Sequence, residues 1–145
     1  QSHYDSMKRC CIFVSYCAEQ AGVTDVIPKN EGCTEMAKQL KKLGYEFYAF
    51  EDAQMFGGNF IPSPGDILLW GNFAKNGKDV YSHIGIVQLA AENRVLVING
   101  NNSNSVHLSD LRAEDIDSNK LQDACWVHIV FSDEVIDLSS YEGTR

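Results

Sequence analysis

Apolar residues follow a helical rhythm before Gly44 and an alternating one after Pro64. Between Ser6 and Ala21 they cover most of a helical circumference, and only Ser15, Glu19 and Gln20 form a clear polar strip. That pattern predicts a central, buried helix. Gly22 closes it, being suited to a left-handed cap. The stretch from Thr24 to Gly32 is turn-rich, with Pro28 and Asn30. A second helix is predicted from Thr34 to Leu43, with Thr34 as N-cap and Gly44 as stop. Met36, Ala37, Leu40 and Leu43 give it an apolar stripe, while Lys38, Lys41 and Lys42 face water.

Tyr45 to Phe50 reads as a short strand or extended segment, and Phe56 to Phe60 as a loop. Pro62-Ser63-Pro64-Gly65-Asp66 is a strong turn signal. Strands are then predicted at Asp66 to Trp70, His83 to Leu89, Arg94 to Ile98, Ser105 to Leu108 and Trp126 to Phe131. Asn72 to Asp79 is a polar loop, and Leu111 to Leu121 an acidic crossover, irregular or short helical. Helices first and strands later favour an α+β fold, with helices packed on one face of a five- to six-stranded antiparallel sheet.

The chain has 145 residues, 44% of them hydrophobic and 22% charged, as expected for a soluble globular domain with a real core. One domain is expected over residues 6–133. Residues 1–5 read as a tag remnant and leader, because Gln1-Ser2-His3 looks like a cleavage scar. Residues 134–145 read as a polar tail. A net charge of −8 without a Lys/Arg cluster argues against nucleic acid and against an anionic membrane surface. No apolar run approaches the length of a membrane span.

Composition changes the picture most through cysteine and histidine. The five cysteines are Cys10, Cys11, Cys17, Cys33 and Cys125, an odd number without the spacing of a disulfide framework or a structural zinc site. Cys17, Cys33 and Cys125 read as small buried hydrophobes. A thiol in the first turn of the first helix is another matter, because negative charge is favoured there. Of the four histidines, His3 lies in the tag-like segment and His107 in a strand facing solvent. His128, in an apolar strand, reads as a hydrogen-bonded structural histidine. His83 opens the strand Ile84-Gly85-Ile86-Val87, held by the sheet yet at its rim, which suits a general base. Val97-Ile98-Asn99-Gly100-Asn101-Asn102 ends the following strand, so Asn99 or Asn101 falls at the same rim and can orient His83. By residue type alone, Asn99-Gly100-Asn101-Asn102 reads more readily as a plain turn.

Taken together, these residues resemble a known family. Cys10-Cys11-Ile12-Phe13-Val14-Ser15-Tyr16-Cys17-Ala18-Glu19-Gln20-Ala21-Gly22 resembles the W-C-A-x-F-V-S-W-C-x-x-Q-A-G signature of CHAP domains, the cysteine, histidine-dependent amidohydrolases/peptidases with a papain-like fold. Pro64-Gly65-Asp66-Ile67-Leu68-Leu69-Trp70 is similar to the family's P-G-D-I-V-x-F/W segment. Ser82-His83-Ile84-Gly85-Ile86-Val87 is similar to its x-H-V-G-I-V, and Ile98-Asn99-Gly100-Asn101 to its I-E-G-N. The match runs from about Cys10 to Leu108, in the family's order. It implies Cys10 as nucleophile, His83 as base, and Asn99 or Asn101 as the orienting group. Two departures stand out: Arg9 where Trp is usual, and Asn99 where Glu is frequent. Arg9 would alter the pocket wall or add a cation favouring the Cys10 thiolate. Adjacent helical positions lie about 100° apart, so only one of Cys10 and Cys11 can face a cleft. Cys11 shares a face with Val14, Ser15 and Ala18.

The resemblance implies a peptidoglycan hydrolase, either an amidase at the sugar–L-Ala bond or an endopeptidase, working through a Cys10 thioester. The oxyanion would be held by N–H groups of the first helical turn. Substrate contacts are expected from residues 54–60 and 72–81, with Phe56, Phe60, Phe73 and Tyr81, besides Arg9. No cofactor is expected, and no metal, since no Asp-rich loop precedes the cysteine. The expected setting is a secreted, wall-bound or phage-delivered monomer, as part of a larger multidomain protein. The alternatives are a catalytically inactive wall-binding module and a papain-like peptidase acting on a non-wall amide.

Overall fold

The computed structural model describes residues 3–71, 81–100, 106–116 and 124–131, with side chains from residue 10 onward. Two helices, α1 (His3–Ala21) and α2 (Cys33–Lys42), precede the strands. The strands are β1 (Glu46–Ala49), β2 (Ile67–Gly71), β3 (Tyr81–Ala90), β4 (Arg94–Gly100), β5 (Val106–Arg112) and β6 (Ala124–His128). All six form one antiparallel sheet in the order β1-β6-β2-β3-β4-β5. The chain is therefore α+β, with the last strand inserted between the first and the second.

Both faces of this sheet are covered. On one, Cys11, Val14 and Ala18 of α1 and Met36, Ala37 and Leu40 of α2 pack on Ile67, Leu69, Ile84 and Val127. On the other, Phe50, Ala53 and Met55 fold back over Leu68, Val87, Val97 and Trp126. Burying each large apolar side chain stabilises the fold by about 1.5–3 kcal/mol. The Trp126 indole N–H also donates to the Phe50 carbonyl at 3.1 Å, so its polar edge is satisfied in the core.

The helices depart from the sequence pattern in two ways. α1 starts at His3, not Ser6. It is also not enclosed: Tyr16 is 57% exposed and Ile12 is exposed beside it, while polar Ser15 points inward. Ser15 is buried because its hydroxyl donates to the Asn30 carbonyl and accepts from the Asn30 N–H, both at 2.8 Å. The turn at 24–32 needs those partners when it returns against α1. α2 starts at Cys33 behind Gly32, and Thr34 does not cap it. Thr34 Oγ1 instead accepts from the Tyr81 N–H at 2.9 Å and donates to the Tyr81 carbonyl at 3.3 Å, tying α2 to β3.

Strand ends shift for similar reasons. β4 continues through Asn99 and Gly100, which are ladder residues and not a turn, because β5 pairs with them at His107 and Val106. β5 runs on to Arg112. β6 begins at Ala124 and stops at His128, where the Asp66 carboxylate takes the next N–H, that of Ile129, at 3.0 Å. The predicted loop at 72–79, the later part of the crossover and the tail at 134–145 lie outside the described residues. Among the described residues no helix is long and apolar enough to cross a membrane.

Candidate active site

α1 lies across β3 and β4. It comes close because β4 ends in Gly100: a Cβ there would sit 2.6 Å from Phe13 Cβ. One turn before Phe13, Cys10 Sγ is brought 3.3 Å from the Gly100 carbonyl and 3.0 Å from His83 Nδ1. His83 Nε2 in turn lies 2.8 Å from Asn99 Oδ1. An amide oxygen only accepts, so Nε2 carries the proton and Nδ1 is left to take the proton of Cys10. The amide end of Asn99 is also held, Nδ2 donating to the Val97 carbonyl at 3.1 Å and to Ser109 Oγ at 2.8 Å.

A bulge aims His83. Gly71 pairs with Tyr81 and Trp70 with His83, so Ser82 is an extra residue without a partner in β2. Tyr81 and Ile84 thus belong to the helix-side core, while His83 turns to Asn99. Gly85 lies between the two: a Cβ there would stand 2.6 Å from Asn99 Oδ1 and 2.5 Å from Val97 Cγ1. Glycine is what leaves room for the Asn99 side chain to reach His83. The Trp70 ring sits 5.1 Å from the imidazole, tilted by 47°, and forms one wall of the site.

The electrostatics favour a neutral pair. Burial pushes the Cys10 thiol above its ordinary value of 9.0, the Cys33 sulfur adds to this, and the backbone N–H groups of Ile84 and Cys10 oppose it. Burial holds His83 below the ordinary 6.5, against the opposing hydrogen bond from Asn99. Near pH 7 the resting site is therefore thiol and imidazole, joined by a hydrogen bond with the proton still on sulfur. Proton transfer to His83 is left to the step in which sulfur attacks.

The profile of the CHAP domain matches residues 2–101, more than half of the chain. The chain belongs to the CHAP domain family. No curated protein and no solved structure matches it. Membership makes it a cysteine, histidine-dependent amidohydrolase or peptidase in general terms, of a family generally tied to cell walls.

Within this CHAP domain the structure brings Cys10, His83 and Asn99 together. Asn101, Phe73 and the side chain of Arg9 lie outside what is described. Cys10 is not in the first turn of its helix. Seven residues precede it in α1, so its N–H belongs to the interior of the helix and not among the unpaired groups of the terminus. The first-turn oxyanion donors expected beside it are thus displaced, since the field of a helix end fades within one turn. What favours the thiolate here is local, the N–H groups of Ile84 and Cys10.

Three of the aromatics expected to meet substrate are placed elsewhere. Tyr81 is buried in the core, its hydroxyl accepting from the Cys125 thiol at 3.5 Å. The helix-side position that the bulge gives it removes it from any cleft. Phe60 stacks on Tyr48 of β1 at 4.3 Å and packs near Trp126 and His128 of β6, away from β3. Phe56, from the same segment, packs edge-on against Phe50 in that core. Trp70, the aromatic that ends the Pro64–Trp70 segment, takes the place beside His83 because the register of β2 and β3 sets the two opposite. Cys11 is fully buried and donates to the Gly32 carbonyl at 3.5 Å, touching Cys33. Cys33 and Cys125 are buried too, and Cys17 is half-buried. His128 Nδ1 hydrogen-bonds Asp66 at 3.1 Å, a structural role. His107 faces solvent. Among the described residues no cluster of His, Cys, Asp and Glu is arranged to hold a metal ion.

Proposed function

We propose that this CHAP domain hydrolyses amide bonds of peptidoglycan through a thioester on Cys10. The observation that carries the reading is the chain of contacts from Cys10 Sγ to His83 to Asn99, at 3.0 and 2.8 Å. His83 Nδ1 takes the thiol proton as Sγ bonds to the amide carbonyl carbon. The tetrahedral oxyanion collapses, the C–N bond breaks, and His83 gives its proton to the leaving amine. Water, deprotonated by His83, then attacks the thioester, releasing a carboxylic acid and the free thiol. The Asn99 oxygen accepts from Nε2–H throughout and stabilises the imidazolium while it exists. The Ile84 N–H favours the Cys10 thiolate as it forms.

Peptidoglycan as substrate rests on the family's association with cell walls. On that reading we propose that the domain acts outside the cytoplasm, secreted, at a wall or carried by a phage, as a monomer within a larger protein. The test is loss of turbidity of purified cell walls, with iodoacetamide used to locate the reactive thiol. The expected result is selective labelling of Cys10, lysis reduced to the buffer level by Cys10→Ala, and lysis retained by Cys11→Ala. Lysis by Cys10→Ala at the wild-type rate would overturn the reading. Masses of the released fragments separate amidase from endopeptidase.

A further inference from the structure

Asn99 stands where a carboxylate is frequent in this family, and an amide is a more demanding group to use there. A carboxylate offers an acceptor at either end. An amide has one accepting end, and the wrong end would present N–H to a nitrogen that must itself donate. The Asn99 side chain is nearly solvent-free, so water cannot correct its orientation. Its two N–H bonds must therefore be settled by protein groups. The Val97 carbonyl, on the same strand, takes one at 3.1 Å. A carbonyl only accepts, so it requires nitrogen on that side. The second N–H goes to Ser109 Oγ at the shorter distance of 2.8 Å, across the sheet on β5.

One hydrogen bond leaves the amide free to swing about that contact. Two, to acceptors on different strands, define its plane and hence the position of Oδ1 against His83. We propose that Ser109 is a positioning residue for catalysis, fixing the Asn99 amide so that His83 keeps its proton on Nε2 and its lone pair toward Cys10. It touches neither the substrate nor the reacting atoms. The same geometry explains the residue at 99. A carboxylate would set an oxygen against the Val97 carbonyl, whereas an amide meets two acceptors. Asn99 and Ser109 thus work as a pair, and burial makes His83 more dependent on them, because the Asn99 hydrogen bond is what offsets its desolvation.

The inference rests on Cys10 and His83 being nucleophile and base, and it does not depend on which amide is cut. Its test therefore uses a substrate-free probe, the rate of Cys10 alkylation by iodoacetamide as a function of pH. Nitrogen NMR of histidine-labelled protein, with the His83 signal assigned by its absence from a His83→Asn variant, reads the tautomer. Removing one neutral hydrogen bond predicts that Ser109→Ala slows alkylation at neutral pH by about 2- to 10-fold. It should also broaden or mix the Nε2–H signature of His83. Ser109→Thr keeps the hydroxyl and should restore both, whereas Ser109→Val has the same shape without it and should behave as Ala does. That pair suits a strand, so the comparison holds even if Ala perturbs the fold. In an Asn99→Ala background, Ser109→Ala should cost nothing further, since it acts only through Asn99. Equal behaviour of the Thr and Val variants, or a Ser109→Ala effect undiminished without Asn99, would overturn the proposal. Absence of wall lysis with this alkylation pattern intact would instead count against peptidoglycan alone.

Discussion

At the residue scale the decisive quantity is which of two neutral groups holds one proton. Burial keeps His83 below 6.5 and Cys10 above 9.0, so their hydrogen bond at 3.0 Å joins a thiol to an imidazole. Activity requires neutral His83, and a depressed value means it stays neutral as the pH falls below 6.5. The acid limb of kcat/KM on cell walls should therefore fall below pH 6.5, lower than a solvent-exposed histidine would give. The sign for stability follows the same shift. His83 contributes fully above 6.5, its unfolded value, and its contribution is lost as the pH falls through the folded value. An acid limb centred above 6.5 would mean that the site stabilises the imidazolium instead of disfavouring it.

Asp66 shows what an element needs to stay in register. The Pro64-Gly65-Asp66 turn leads into β2, and its carboxylate is almost fully buried. Asp66 accepts from the Ser63 N–H at 2.9 Å and the Ile129 N–H at 3.0 Å, and pairs with His128 at 3.1 Å. These bonds join the start of β2 to the end of β6, which lie side by side in the sheet. Burial raises the Asp66 carboxyl, and those hydrogen bonds oppose the shift. Asp66→Ala leaves two N–H groups without their acceptor and should cost about 2–4 kcal/mol, read as a lower urea midpoint at unchanged slope. A change below about 0.5 kcal/mol, the range of ordinary surface substitutions, would show that water replaces the carboxylate. The turn was legible in the sequence from its proline and glycine. Its lock was not, because Ile129 and His128 stand more than sixty residues away.

Across the whole molecule, the thiols are a shared liability at high pH. Burial raises Cys10, Cys17 and Cys125 above 9.0. The hydrogen bond between Cys11 and Cys33 raises the Cys11 thiol and lowers that of Cys33. For the raised groups the folded state holds protons that the unfolded chain releases. Their contribution is complete below about pH 9 and is lost as the pH rises through the folded values. Thermal unfolding under reducing conditions should therefore show Tm falling from pH 9 to 10.5. The fall should be smaller in a Cys17→Ala/Cys125→Ala variant, and an equal fall would assign it to other groups.

Sequence alone determined the elements and the chemistry they carry. Helical spacing marked α1 and α2, alternation marked the strands, and the order of both gave an α+β fold. Cys10 and His83 were visible because their motifs are local and contiguous, whereas the orienting group stayed open between Asn99 and Asn101. Only the tertiary structure decided how far each element runs and what each side chain meets. Asn99 proved to be a strand residue because β5 pairs with it, and Tyr81 a core residue because one bulged residue reverses its side of the sheet. Trp70, Ser109 and the β6 partners of Asp66 enter through strand pairing, which joins residues far apart in sequence. The same holds for the thiol that opened the question of catalysis. Its reactivity depends on burial and on contacts with β3 and β4, not on its place along the helix.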